Sequence, residues 1–333
     1  GNGIMTLNDL SEYNSVFRDP VSAWYRGYRV ISASPPSGGG IILLQILGMI
    51  EPYDLKKLGF HTVSSVHLIA EAEKRAFADR AEYLGDPDFT GIPLKEMLDT
   101  GYLHSRMSSF RPGSATPSSS LSHGLLIPAE SEETTHYTVV DSYGNAVAAT
   151  TTLNNTFGSA IVVDSAGFLL NNQMDDFSVK PGFPNMYGLI GSEANSIKGG
   201  KRMLSSMTPF IVEKDGALFL AGGSPGGSTI PTTVLQVLIN VIDYGMNIRQ
   251  AVDTGRFHHQ WLPDRLQFER RPDPSYAELL SMLKRQGHLF SDEVKRLGDG
   301  YQRQGDAHTI MVEDKTLYGA SDWRRTASKA SGW

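Results

Sequence analysis

The chain has 333 residues, 40% of them hydrophobic and 20% charged, the balance of a folded globular protein rather than a disordered or fibrous one. Lys and Arg number 30 against 36 Asp and Glu, giving a net charge of -6 with both signs interspersed, so the basic footprint that nucleic acid or an anionic membrane selects is missing. Cysteine is absent, which excludes disulfides, thiolate nucleophiles and cysteine-based zinc or iron–sulfur sites.

Thr6 followed by Asp9 predicts a helix start, with Leu7, Leu10 and Tyr13 at helical spacing. Tyr28–Ser32 reads as a strand ending at Pro35-Pro36-Ser37-Gly38-Gly39-Gly40, a stretch unsuited to a helix or a central strand. The apolar run 41–50 reads as a buried helix, too short for the roughly 20 residues of a membrane span. Over 62–83, Val63, Val66, Ile69, Ala70 and Phe77 share one helical face; Glu71, Glu73, Lys74 and Arg75 are expected on a solvated one. Residues 111–133 are rich in Ser and Pro without periodicity and are expected to form a flexible linker.

Beyond it the pattern turns strand-like. Residues 134–141, a Tyr143-Gly144-Asn145 turn and residues 146–154 predict a hairpin. Strands follow at 160–163, 167–170, 207–213 and 217–221, the last pair joined by Lys214-Asp215-Gly216. A helix from 232 to about 244 is closed by Gly245, a second over 275–286 by Gly287, and strands at 307–313 and 317–320 finish the chain. That order suits an α+β sandwich better than a doubly wound parallel sheet.

Gly222-Gly223-Ser224-Pro225-Gly226 matches the G-x-S-x-G nucleophile elbow, but the residue after the serine must donate its backbone N–H, and Pro225 has none. Gly226-Gly227 then reads either as a turn or as a pair of oxyanion donors. No glycine run carries the Gly-Lys-Ser/Thr of a phosphate loop. His258-His259 lacks metal-site spacing and reads as two core or surface residues, Asp175-Asp176 as a cap or a pair of acids, and Asn154-Asn155-Thr156 as a chance glycosylation sequon. One nucleophile class needs neither cysteine nor a triad: an N-terminal threonine whose own amine is the base. Thr134, where the linker meets a strand, stands at the kind of junction that self-cleavage would use.

Thr134-Thr135-His136-Tyr137-Thr138-Val139-Val140-Asp141 followed by Gly144-Asn145-Ala146-Val147-Ala148 resembles the start of the small subunit of γ-glutamyltranspeptidases. Leu170-Asn171-Asn172-Gln173-Met174-Asp175-Asp176-Phe177, Leu204-Ser205-Ser206-Met207, Gly223-Ser224-Pro225-Gly226-Gly227-Ser228 and Arg256-Phe257-His258-His259-Gln260-Trp261 continue the likeness. Upstream, Pro35-Pro36-Ser37-Gly38-Gly39 and 71–80 resemble the later part of the large subunit. Met203 departs from the proline frequent at its position.

The resemblance implies a four-layer αββα sandwich of the N-terminal-nucleophile type, truncated at its N-terminus, with 1–133 the end of the large subunit and 134–333 the small catalytic subunit. Cleavage between Glu133 and Thr134 would produce a heterodimer of the chain's own products. The nucleophile would be Thr134, tuned by Thr152, with Gly226 and Gly227 as oxyanion donors. Asn154, Gln173 and Asp176 would hold the α-amino group of a γ-glutamyl donor such as glutathione, and Ser205 and Ser206 its α-carboxylate. Tyr187, in the segment 180–188, matches the shielding residue of the lid loop, which leans toward transfer. The resemblance implies no cofactor and no metal; water, an amino acid or a dipeptide would be the acceptor, and the location periplasmic or extracellular, with any export signal upstream of Gly1. An acylase for glutaryl side chains, or an inactive unprocessed fragment, is the alternative. The family's carboxylate-binding arginine comes from the early large subunit, and no residue here matches it.

Overall fold

The computed structural model describes residues 4–122, 134–164, 166–269, 274–290, 304–325 and 328–332. In chain order the strands are β1 (Val21–Tyr25), β2 (Tyr28–Ser32), β3 (Thr135–Val140), β4 (Ala146–Thr151), β5 (Val162–Val163), β6 (Phe168–Leu169), β7 (Phe210–Lys214), β8 (Ala217–Gly223), β9 (Phe257–His258), β10 (Gln267–Phe268), β11 (His308–Glu313) and β12 (Thr316–Ser321). The helices are α1 (Leu7–Glu12), α2 (Gly39–Ile50), α3 (Leu55–Leu58), α4 (Val63–Tyr83), α5 (Leu94–Met97), α6 (Thr100–Arg106), α7 (Ile230–Ile242), α8 (Ile248–Asp253) and α9 (Pro274–Arg285).

Six strands form one sheet in the order β1-β2-β7-β8-β11-β12, antiparallel throughout. Helices α2, α7 and α8 pack on it, and α4 packs on α2. The β3–β4 hairpin, paired from Thr135↔Thr151 to Val140↔Ala146, lies against β7, β8 and β11. Among the described residues this hairpin is the two-stranded sheet that packs against the six-stranded one, while β5–β6 and β9–β10 form separate pairs. The architecture is an α+β sandwich, as the order of elements suggests. No helix among the described residues is long and apolar enough to cross a membrane.

Local chemistry explains the joints. Asp215 (φ 52°) and Gly216 (φ 77°) take the left-handed backbone of the tight β7–β8 turn. Gly245 and Gly287, at φ 66° and 98°, follow α7 and α9 where left-handed caps are favoured. Thr62 caps α4 by accepting from Ser65 N at 3.2 Å.

Three expectations are corrected. Helix α2 starts inside the glycine run, at Gly39, because the backbone there runs too close to its neighbours for any side chain. The charged face of α4 is not solvated: Glu71, Glu73, Lys74 and Arg75 are all buried, since residues 106–118 and 256–264 fold over it. Glu71 accepts from Lys74 Nζ at 2.9 Å and Arg75 Nη1 at 2.8 Å, Arg75 Nε donates to Arg106 O at 2.8 Å, and His259 N donates to Glu73 Oε2 at 2.8 Å. Residues 111–122 are not a loose linker either, for Thr116 N donates to Glu71 and Ser118 N to Asp264. The rest of the expected linker, with Glu133, lies outside the described residues.

Candidate active site

One pocket, about 350 Å³ including its open mouth, lies where the end of α4, the start of the hairpin, the turn at Gln173–Asp176 and the loop before β7 converge. It is lined by Thr134, Thr152, Asn154, Asp176, Tyr187, Ser205, Ser206 and Gly227, together with Arg80 and the apolar Leu189, Leu204, Met207 and Ile230. Eight of the ten site residues singled out from the sequence therefore share one cavity. Gly226 is the neighbour of Gly227, and Gln173 stands behind Asp176, with its side chain hydrogen-bonded to it.

The hairpin sets Thr134 at the pocket. Its inward residue His136 bonds Thr150 Oγ1 at 2.8 Å and Thr138 Oγ1 at 3.0 Å, and Thr138 Oγ1 donates to His308 O on β11 at 3.1 Å. Burial and the nearby His308 push the His136 ring down to about 3, so it is neutral at ordinary pH. Gly223 on β8 admits that ring, since a Cβ there would meet its atoms at 2.3–2.8 Å. Thr134 O accepts from Arg325 Nη1 at 3.4 Å.

Asn154 is buried with φ 78°, a conformation asparagine tolerates better than most residues. Its N–H donates to Thr152 Oγ1 at 2.8 Å, and Tyr187 Oη donates to its side-chain oxygen and to its carbonyl. This enclosed position fits the sequon at Asn154 being a chance match. Tyr187 also lies over Gly227, where a Cβ would come within 3.0 Å of its ring. The two adjacent acids divide their work: Asp175 Oδ2 accepts from Met186 N at 2.7 Å and so ties down residue 186, whereas Asp176 faces the cavity. Burial, with a contribution from Asp175, pushes the Asp176 carboxyl up to about 7.

Several residues that sequence reasoning missed hold these groups in place. Ser37 Oγ lies 2.9 Å from Ser205 Oγ, Ser205 N donates to Pro36 O at 3.0 Å, and Gly38 N donates to Ser205 O at 2.8 Å. The Pro/Gly run before α2 is thus the cradle of the Ser205-Ser206 loop. Asn195 joins that loop to the acid turn, donating to Asp176 O at 2.7 Å and accepting from Leu204 N at 3.0 Å. Arg80, the last of the missed residues, follows Phe77 by three and Ile69 by eleven on α4. An arginine in phase with the apolar stripe was the available signal.

Gly39→Ala tests the cradle. Helix propensity alone would favour alanine by at most about 1 kcal/mol. A Cβ there would meet Ser206 O at 2.5 Å and Met207 O at 2.7 Å, backbone atoms that cannot rotate away. Overpacking of this kind costs about 1–3 kcal/mol and wins. The expected result is a lower Tm in thermal unfolding.

His67, Glu71 and His288 place ligand atoms within 4.8 Å of one another, a grouping that could in principle hold a metal ion. The Glu71 oxygens already accept from Lys74, Arg75 and Thr116 N, and the two rings bond each other at 2.7 Å. Two adjacent cations oppose a third charge there, and the cluster is structural. His258 and His259 are both buried with separate partners, Thr232 and Gln260 for one, Asp264 for the other. Ser224 is buried, its hydroxyl donating to Pro225 O at 2.6 Å and accepting from Asp306 N at 2.9 Å, which leaves it no role as a nucleophile.

A threonine leading a hairpin that packs on a central antiparallel sheet, with its pocket at the hairpin's start, defines an α+β sandwich of the N-terminal-nucleophile hydrolase class. The model of the family "Gamma-glutamyltranspeptidase" matches residues 1–332. The glutathione hydrolase proenzyme of Escherichia coli (strain K12) is 49% identical over 332 residues, covering 99% of this chain and 55% of the relative. A solved acivicin-inhibited gamma-glutamyltranspeptidase is 50% identical at a TM-score of 0.53, covering 58% of this chain and 99% of that one. Cephalosporin acylase from Bacillus halodurans, 24% identical at a TM-score of 0.78, covers 99% of this chain and 56% of its own and shares the fold. The chain belongs to the γ-glutamyltranspeptidase family. It spans about half the length of the curated relatives it matches.

Proposed function

We propose that this chain carries the catalytic site of a γ-glutamyl transferase and hydrolase that matures by cutting itself before Thr134. The observation that supports this most is the convergence of Thr134, Asp176, Ser205, Ser206 and Gly227 on one pocket. In maturation, Thr134 Oγ attacks the Glu133 carbonyl, the peptide shifts to an ester, and water hydrolyses it. This leaves 1–133 with a free carboxylate and Thr134 with a free amine. The two pieces remain one heterodimer.

In turnover that amine takes the Thr134 hydroxyl proton as the oxygen attacks the γ-carbonyl carbon of glutathione or a related donor. The oxyanion is received by the N–H groups of Gly226 and Gly227, neither of which has a hydrogen-bond partner among the described residues. Collapse expels the amine product, which leaves with the proton held by the Thr134 amine, and a γ-glutamyl ester remains on Thr134. Water, an amino acid or a dipeptide then resolves it. Thr152 bonds and tunes the nucleophile; Asn154, Gln173 and Asp176 receive the donor's α-ammonium, and Ser205 and Ser206 its α-carboxylate. Tyr187 shields the ester from water, which favours transfer to amines. A periplasmic or extracellular location fits this role. The glutaryl acylase alternative is disfavoured by Asp176, whose charge has no partner in a side chain that lacks an α-ammonium.

The matured protein is assayed with γ-glutamyl-p-nitroanilide, with and without glycylglycine. Release of p-nitroaniline that rises with the acceptor is expected; turnover of glutaryl-p-nitroanilide alone would instead support the acylase reading, and no turnover of either would overturn both.

A further inference from the structure

Arg80 brings a guanidinium into the pocket from the inner face of α4, and it is only 4% exposed. Its Nε has no hydrogen-bond partner among the described residues. A buried cation without close partners is costly unless a charge nearby compensates it. Across the same cavity stands the carboxylate of Asp176. Among the described residues the charged groups that face Asp176 are Arg80 from α4 and Asp175 from its own turn, joined in the same cavity by the Thr134 amine once the chain is cut, while the Gln173 side chain bonds it directly.

We propose that Arg80 is a positioning residue of the donor site, holding Asp176 as a carboxylate for the donor α-ammonium and so setting the preference for γ-glutamyl over glutaryl donors. This rests on the γ-glutamyl reading above and adds a residue to it. Two opposing influences meet at Asp176. Burial and Asp175 favour the neutral acid, which cannot form an ion pair; Arg80 and Gln173 favour the charged form. Burial also draws the Arg80 guanidinium down to about 10, an effect that Asp176 opposes, so each group supports the charge of the other. Among the described residues no ion pair at contact distance joins Arg80 to an acid, so the influence acts through space and requires charge rather than a guanidinium fork.

The test measures kcat/KM for γ-glutamyl- and glutaryl-p-nitroanilide on the matured protein from about pH 5.5 to 9, a range that brackets the Asp176 transition. In Arg80→Gln, the acid limb of the ratio of the two kcat/KM values, from which the Thr134 amine common to both donors drops out, moves up by about one pH unit, and the preference for γ-glutamyl over glutaryl falls about fivefold at pH 7 and about tenfold well below it. Raising the pH past the displaced limb restores that preference, which a mere packing defect would not allow. Arg80→Lys keeps the charge and retains the unsubstituted profile; it also carries the test should the glutamine variant fail to fold. An unmoved limb in Arg80→Gln, an equal loss with both donors at every pH, or a Lys variant that loses the preference throughout would overturn the proposal. Absence of γ-glutamyl turnover in the unsubstituted protein would instead overturn the reading beneath it.

Discussion

Thr134→Ala should stay a single chain of 333 residues on a denaturing gel, while the unsubstituted protein should resolve into pieces of 133 and 200 residues, 1–133 and 134–333. The same substitution should lower kcat for γ-glutamyl donors by at least about 10³-fold, because in the proposed function one hydroxyl is both the agent of cleavage and the acyl carrier. Alanine removes the oxygen without disturbing the hairpin, whose ladder begins at Thr135. The uncut variant should therefore still unfold in one cooperative thermal transition, and this separates a chemical defect from a folding defect. Cleavage of the alanine variant at the same bond would refute Thr134 as the nucleophile.

Asp176→Asn should lower kcat/KM for γ-glutamyl donors roughly 10²- to 10³-fold, the usual consequence of removing one partner from an enclosed ion pair. The loss should fall mainly on KM, because the α-ammonium is remote from the reacting carbon and is bound alike in ground and transition states. Glutaryl donors should be spared. In the unsubstituted protein kcat/KM should fall as the pH drops below about 7, where Asp176 takes up a proton. The stability effect has the opposite sign. A carboxyl whose value in the folded chain is about 7 instead of the ordinary 3.8 stabilises the fold when protonated, and that stabilisation is lost as pH rises through 7. A neutral amide in place of the carboxyl escapes this cost. The variant should therefore exceed the parent in Tm above pH 7, and the gap should close as pH falls toward 4. A Tm difference independent of pH would count against the buried, charged state of Asp176.

Periodicity and turn chemistry made most of the framework legible. Val63, Val66, Ile69 and Phe77 announced α4, and Asp215-Gly216 announced the β7–β8 hairpin, because both signals are local. Whether Glu71 and Lys74 meet water is a different kind of question. It is answered by residues 106–118 and 256–264, distant in sequence, which close over α4. The short strands β9 and β10 and the helices α5 and α6 were also hidden, each being too brief to show a period. At the candidate site, motif resemblance located residues that touch the cavity, such as Asp176 and Ser205. The residues behind them, Ser37, Gly39 and Asn195, act through backbone and side-chain contacts that only the folded chain reveals.

Strand β2, upstream of Thr134, pairs along its whole length with β7, downstream of it, from Tyr28↔Lys214 to Ser32↔Phe210. A cut before Thr134 would thus divide the polypeptide but not the sheet. Afterwards each fragment contributes strands that the other must complete, and unfolding changes its molecularity: one chain opening becomes two chains separating. The stability of the cut protein should then rise with its concentration, and refolding should require an encounter that the uncut chain gets from its own connectivity. Folding first and cutting second is the order this topology favours, with the ladder between β2 and β7 as the seam that outlasts the missing bond.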